Sequence, residues 1–424
     1  MKVANATPSE QTQQTPNETA FRNMTGAEPV LLDVAPAIDV IPGYQRNVIL
    51  TSGPPLPWDQ YYGGQRDAVI GAALYEGLAR NAEEADALIA RGEIRLAPCG
   101  EFDCVGSLAG VYSASMPVFV VQNKTHGNFA YCNVYEGSNP RRLNYGVYDE
   151  GVRARLNHIG MAVAPVIGAA VRAAGEIPLK PIMKRALHMG DELHSRNTAA
   201  SLLFGRELFP YLLELREERA ARVAETVRVL TEDHYFFLRL SMAAAKTMGD
   251  AAHGVPGSSL VSAMAFNCRH FGIRVSGLGE RWFLGPHPEV HARLFDGKTE
   301  ADITWMGGES TITETVGIGG FAQAAAFPLQ AYQGGSPEAM VDNNVSMYRI
   351  THAEHPDFRI PFLAYRGTPT GIDVLKVLET GVTPVMDLGI AGKGGGQIGA
   401  GLVRAHIGCF EAAAREFRAQ YGET

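Results

Sequence analysis

The sequence predicts an α+β fold, with two mixed α/β domains and a mainly helical domain between them. Three observations carry this expectation. The chain has 424 residues, 46% of them apolar and 19% charged, too long for one ordinary core and apolar enough to fill two or three. A middle stretch from about 149 to 253 is rich in Ala, Leu, Arg and Glu at helical spacing, with few turn signals beyond 175–178. On either side, short β-rich runs mix with helices without regular β-α-β-α alternation. That irregularity disfavours a doubly wound sheet or an eight-fold α/β barrel. The division expected is 1–28 as a disordered polar tail and 29–148 as an N-terminal mixed α/β domain. A helical domain at 149–253 and a C-terminal mixed α/β domain at 254–424 complete it.

The elements follow in order. Residues 1–28 are rich in Gln, Thr, Pro and Glu and read as disordered. Val30–Val34 and Asn47–Leu50 read as strands, the second ended by Gly53-Pro54-Pro55. Gln65–Arg80 has helical spacing, and Asn81 followed by Glu84 caps a second helix. Pro117–Gln122 and Phe129–Val134 flank a polar connection as a strand-loop-strand unit. Pro165 is expected to kink the first long helix of the middle stretch. Beyond it, a helix over 257–270, a strand over Phe271–Val275 and a helix over 314–326 are expected. A helix opened by Ser336 and Pro337, strands over Phe358–Leu363 and Pro384–Leu388, and a last helix over 408–421 complete the reading.

Composition excludes several functions. A formal net charge of -8 without a basic stripe argues against nucleic-acid binding. No apolar run reaches the ~20 residues of a membrane span, and the polar N-terminus lacks a secretory h-region. Five cysteines at irregular spacing suit reduced thiols and a cytoplasmic setting, so Asn123-Lys124-Thr125 carries no glycosylation meaning. No cofactor fingerprint stands out. Gly392–Gly401 is Gly-rich, yet Lys393 precedes Gly394 where a phosphate-binding loop needs Ser or Thr. It reads as a backbone that approaches a ligand or another chain closely, or as a structural turn.

Polar loops carry the chemistry instead. Arg366 beside the Gly367-Thr368-Pro369-Thr370-Gly371-Ile372-Asp373 turn offers a forked cation next to an expected helix start, which suits carboxylate or phosphate. Asn123-Lys124-Thr125-His126-Gly127-Asn128 gathers amide, ammonium, hydroxyl and imidazole at a strand end. In the 188–197 segment, His188 with Glu192 and Asp191 with His194 would share helix faces. The two histidines stand six apart where a zinc helix needs four, so no metal is expected, and Arg196 and Asn197 are candidates to reach substrate. The edges around Arg274 and around Thr313-Glu314-Thr315 with Gly317, Gly319 and Gly320 read as further candidates. Cys99, Cys104 and Cys132 are the possible nucleophiles, with Cys132 reading as a small packed side chain.

Several of these segments, taken with Ala97-Pro98-Cys99, Met116–Val121, His253–Ser259, Arg274-Val275-Ser276-Gly277 and Gln397–Gly401 in chain order, resemble the family known as DUF1116, or YlbE-like. One branch of it looks like a subunit of oxamate carbamoyltransferase in anaerobic allantoin breakdown. The resemblance implies carbamoyl transfer between phosphate and oxamate, with carbamoyl phosphate and oxalurate as the carbamoylated species. It also implies an FdrA-like partner subunit, a third small protein and assembly of this chain as a homo-oligomer. For such a reaction Arg274, Arg366 and Lys124 are candidate anion clamps, and His126 and Thr368 candidate polarisers of the carbonyl. Asp191, Glu192 or Glu314 would take the amide proton. Asn123, Asn128, His194, Arg196, Asn197 and Asp373 would complete the contacts to substrate. The Ser-Thr-Arg-Thr signature of ordinary transcarbamoylases is absent. Two alternatives remain: an amidohydrolase on ureido or cyclic amide compounds, and a non-catalytic subunit of a complex. The loops at 123–128, 188–197, 272–277, 313–320 and 366–373 are expected to converge on one anion-binding cleft.

Overall fold

The computed structural model describes residues 14–422, with the side chains of 216–219 outside the described set. Helices and several small sheets intermix, as an α+β fold requires. One four-stranded antiparallel sheet orders Phe129–Asn133, Pro117–Asn123, Pro29–Pro36 and Ile177–Pro178. The helix Ala164–Ala174 packs on Pro29–Pro36, and the helix Leu238–Ala251 packs on the two strands of the expected strand-loop-strand unit. A second four-stranded sheet orders Val290–Leu294, Gln397–Arg404, Val385–Gly392 and Ile303–Thr304. The short parallel pair Val48–Thr51 with Arg95–Pro98 lies between the helices of the N-terminal part.

The cores explain the assembly. One core belongs to the N-terminal stretch, around Ile49, Val69, Val111 and Leu156. Another belongs to the C-terminal stretch, around Phe271, Val374, Leu388 and Phe410. The largest draws on all parts at once, with Met24, Leu31 and Phe119 meeting Ile167, Phe204, Phe237, Ile312 and Phe358. Burying this apolar surface is what fixes the elements to one another.

Four sequence expectations change. The tail assigned to 1–28 is in part a helix, Pro16–Thr25, closed by a full capping box between Thr15 and Glu18, with Ala20 and Met24 fully buried; residues 1–13 lie outside the described set. Asn17 ties that helix to the far end of the chain through Ser259 (2.9 Å) and Asp373 (3.3 Å). The helix expected over 257–270 is a strand, Val261–Phe266, hairpinned to Phe271–Val275. Burial on both faces removes the polar alternation that marks a strand, and Asn267 closes the turn by accepting from the Arg269 and His270 amides. The helix expected over 314–326 stops after Ile312–Thr315, because Gly317 and Gly319 adopt left-handed φ of 87° and 62° before a 3-10 segment at Gly319–Ala325. Pro165 falls in the first turn of Ala164–Ala174, directly after a π-helical turn over Ile159–Val163, so the long helix is divided into Glu150–His158 and Ala164–Ala174 with a π-turn between them. The stretch Glu150–Ala174 is long and apolar enough to cross a membrane by length and composition, and half of its most apolar window is buried in the protein.

Other elements match closely. Asn81 accepts from the Glu84 amide at the head of Ala82–Ala90, and Ser336 from the Ala339 amide at the head of Pro337–Met347. The last helix is Ile407–Tyr421. The Gly-rich 392–401 segment is a hairpin turn and the start of its return strand. A Cβ at Gly399 or Gly401 would fall 2.5 or 2.3 Å from a carbonyl of the neighbouring strand. The structural reading of these glycines holds, since they let two strands approach.

Candidate functional site

A small cavity with about 40 Å³ of free room lies between Arg142, Arg239, Tyr135, Tyr145, His194 and Gln397, with Ser107, Ser195 and Ser310 on its wall. That room suits a few waters or one small anion. Arg239 comes from the first turn of Leu238–Ala251 and is only 3% exposed. Its Nε and Nη1 are buried without a hydrogen-bond partner, as is Nε of Arg142. Arg142 donates Nη1 to the Tyr135 hydroxyl (2.5 Å) and Nη2 to Gln397 Oε1 (2.7 Å), which fixes its guanidinium. Both guanidinium groups sit against the Tyr135 ring, at 5.3 and 5.7 Å from its centre. A buried guanidinium with idle N–H groups is costly to fold around. Two of them facing one cavity have the charge and the free N–H donors that an anion would take up.

His194 supplies the titratable group. Its Nδ1 lies 2.8 Å from Glu314 Oε1, which leaves Nε2 as the second ring nitrogen of a residue that lines the cavity. Glu314 is held hard: Oε1 also accepts from the Gly320 amide (2.9 Å) and the Asp387 amide (3.1 Å), and Oε2 from the Thr313 hydroxyl (2.9 Å). Burial opposes charge on His194, but the Glu314 charge and hydrogen bond more than offset it, and the pKa rises above the ordinary imidazole value. Gly319 is required beside the pair, because a Cβ there would lie 2.2 Å from Glu314 Oε1 and 3.0 Å from the His194 Cβ.

A second carboxyl pair stands behind the first. Glu192 accepts the backbone amides of His194 (3.2 Å) and Arg196 (3.0 Å) and folds the 192–196 loop around its carboxylate. Burial and the neighbouring Asp387 push its pKa well up. Asp387 accepts from the Gln323 and Gln333 amides at Oδ1 (both 2.9 Å), while its buried Oδ2 has no partner. Burial and then the Glu314 charge push the Asp387 carboxyl up to about 6. Ligand atoms of His194, Glu314 and Asp387 lie within 4.8 Å of one another, the one such metal-type grouping among the described residues. Three donors already converge on Glu314 Oε1, so the set fits a hydrogen-bonded proton store better than a cation's coordination shell.

The carboxyl pair sets a pH dependence of folding. A carboxyl raised from an unfolded value of roughly 3.9 to about 6 favours the folded state when protonated. Its contribution is fully present below the unfolded value and is lost as pH rises through about 6. Thermal stability is therefore expected to fall between pH 4 and pH 7. Asp387→Asn should flatten that slope, by an amount on the order of 1–3 kcal/mol, in melts recorded across the range. An unchanged slope would contradict a raised Asp387.

The five loops expected to converge do not. Those at 188–197 and 313–320 meet in the His194–Glu314 pair, with Glu192 beneath. Asp191 is buried and anchors the following helix, accepting Arg196 Nη1 (2.5 Å) and the Ala200 amide (2.8 Å), and Asn197 donates to the His194 carbonyl (2.8 Å). The 123–128 loop is a structural turn. Asn123 accepts from the Glu28 and Thr125 amides and donates to Asn128, which in turn donates to the Thr247 carbonyl. Lys124 pairs with Glu176 at the surface (3.0 Å), and His126 is exposed with Asn123 beside it (3.2 Å). Arg366 lies on the outside, paired with Glu354 (2.7 Å) over the Tyr348 ring. Its segment is the strand Arg366–Ile372, in which Thr368 is buried beside Thr370. Asp373 caps the next helix by accepting the Leu375 amide (3.0 Å). Arg274 lines a different cavity, paired with Glu280 (2.9 Å).

Comparison with known proteins agrees with a shared fold across the whole chain. The family described as oxamate carbamoyltransferase subunit AllG matches residues 94–310. The Escherichia coli (strain K12) protein of that name is 39% identical over 402 residues, covering 94% of this chain and 96% of its own. The chain belongs to the AllG family. The Escherichia coli (strain K12) protein named "Uncharacterized protein YahG" is 41% identical over 96% of this chain and 86% of its own. A solved crystal structure, of a conserved protein of unknown function from Enterococcus faecalis V583, matches with a TM-score of 0.92 at 39% identity. It covers 96% of this chain and 97% of that one.

Arg142, Arg239, Tyr135 and Asp387 escape the sequence reading. Two of them leave a signal: Arg239 interrupts the apolar Phe236–Ala245 run and Asp387 the Val385–Leu388 run. A lone charge flanked by apolar residues on both sides is rarely buried without a partner.

Proposed function

We propose that this chain is the subunit of a carbamoyltransferase that moves a carbamoyl group between phosphate and a small amide-carboxylate of the oxamate and oxalurate type. The single observation that supports this most is the pair of buried arginines with idle N–H groups around a cavity that also holds His194. Family membership supports the same reading. In the oxalurate direction, a phosphate oxygen attacks the carbamoyl carbon and the bond from that carbon to the oxamate nitrogen breaks. Imidazolium His194 gives a proton to the departing nitrogen and regains one from the phosphate, so oxamate and carbamoyl phosphate leave in balance. Arg239 and Arg142 hold the carboxylate or phosphate and offset charge as it develops. An FdrA-like partner subunit and self-association of the chain belong to the same proposal.

The test mixes the purified chain, alone and with an FdrA-like partner, with oxalurate and phosphate, and follows carbamoyl phosphate. Phosphate-dependent product is the expected result, retained within about two-fold in His126→Ala and Arg366→Ala, since both residues lie outside the cavity. Loss of the ureido group without phosphate would instead favour an amidohydrolase.

A further inference from the structure

A second cavity opens on the same helix as the first. Its wall carries Lys246, Asp250, His253, Arg274, Trp282 and Glu309. Lys246 follows Arg239 by about two turns of Leu238–Ala251, roughly 10 Å of rise, so both residues project from one side of the helix. The two cavities have no lining residue in common.

We infer that this second cavity is a binding site for a small monocarboxylate, seated between Arg274 and His253, and that Glu280 occupies its mouth as an internal stand-in. The inference goes beyond the carbamoyl-transfer reading and stands without it.

The geometry argues as follows. Arg274 is flattened against the Trp282 ring, 4.8 Å from its centre, which fixes the plane of its fork. Glu280 spans the guanidinium and the imidazole, Oε2 at 2.9 Å from Arg274 Nη1 and Oε1 at 3.2 Å from His253 Nε2. One carboxylate thus measures the gap between the two donors. It fills the gap poorly, for Nε of Arg274 and Nε2 of His253 are both buried without an aligned hydrogen bond. The Glu280 side chain is 75% exposed, and so exposed an ion pair holds weakly. A free carboxylate entering deeper would satisfy Arg274 through two parallel N–H bonds.

The rest of the wall selects for one negative charge. Lys246 is neutralised by Asp250 (2.5 Å), leaving Arg274 as the free cation once Glu280 leaves. Glu309, which accepts the Gly53 and Gly106 amides at 3.0 and 2.7 Å, adds a partly ionised carboxyl, since burial pushes it up to about 7. A phosphate dianion would face these acidic groups with one cation to offset it, whereas a monocarboxylate is matched. His253 is hydrogen-bonded to Ser262 through Nδ1 (2.7 Å), which turns Nε2 toward the cavity mouth.

Titration calorimetry with oxamate on the full chain tests this. Glu280→Gln is expected to bind oxamate at least roughly ten-fold more tightly than the parent, because a tethered carboxylate competes at millimolar effective concentration or above. Adding Arg274→Gln to that variant should remove the gain, and adding Arg366→Ala, outside both cavities, should leave it. Inorganic phosphate should show no such gain in Glu280→Gln. Equal oxamate affinity in Glu280→Gln and the parent would overturn the inference. So would a gain that survives Arg274→Gln, or an equal gain for phosphate. Glu280 is on the surface, so the first comparison does not depend on a variant that fails to fold.

Discussion

Replacing Arg239 by Met is expected to lower carbamoyl phosphate formation by roughly 10²–10³-fold, the usual loss when one preorganised donor to a developing anion is removed. The same change is expected to leave the fold as stable as before, or more so. Nε and Nη1 of Arg239 lie buried with no partner, and each unsatisfied buried polar group opposes folding by about 1–3 kcal/mol. Met keeps the apolar stem and removes the idle donors. Rate therefore falls while melting temperature holds or rises, and that divergence separates a ligand-binding arginine from a structural one. A Met variant that melts well below the parent would assign Arg239 to the scaffold. One that keeps full activity would move the anion site elsewhere.

Glu314→Gln is expected to lower the rate by roughly 10²–10⁴-fold, the range for loss of a positioned acid. Burial alone would push the His194 pKa down; the Glu314 charge and hydrogen bond reverse that. Without the charge, His194 is neutral at working pH and lacks the proton that the departing nitrogen needs. The sign follows directly. Activity that needs imidazolium is lost as pH rises through the His194 pKa, so the alkaline limb of the residual kcat/KM profile should move to lower pH in the variant. Gln preserves the size of the side chain and a carbonyl for the Gly320 and Asp387 amides, which keeps the loop in place. A large loss of rate with an unmoved alkaline limb would make Glu314 purely structural.

Part of the candidate site was legible in the residues. His194, Glu192 and Glu314 stood out as polar groups in short turn-rich segments, and the fold joins them. The 123–128 and 366–373 segments carried the same signature and proved to be turn and strand, because Asn, Thr and Asp satisfy backbone groups locally as readily as they bind ligands. Local pattern does not separate the two uses. Arg142 and Asn144 lie more than ninety residues before Arg239, and Gln397 far beyond both, so the cavity exists only through tertiary packing. Helices dominate 149–253, where 3.6-residue spacing survives burial on one side, and the short strand Ile177–Pro178 interrupts them. The strand Val261–Phe266 was missed because burial on both sides erases the two-residue period.

The link from Asn17 to Asp373 has a consequence for how the protein is made. These partners are 356 residues apart in the chain. At a usual ~5–20 residues per second of synthesis, the leading helix waits roughly 20–70 s for the segment that clasps it. Ala20 and Met24, fully buried in the finished molecule, are without their final cover for that interval. The Pro16–Thr25 helix is thus among the last elements to lock, because the segment that clasps it is made late.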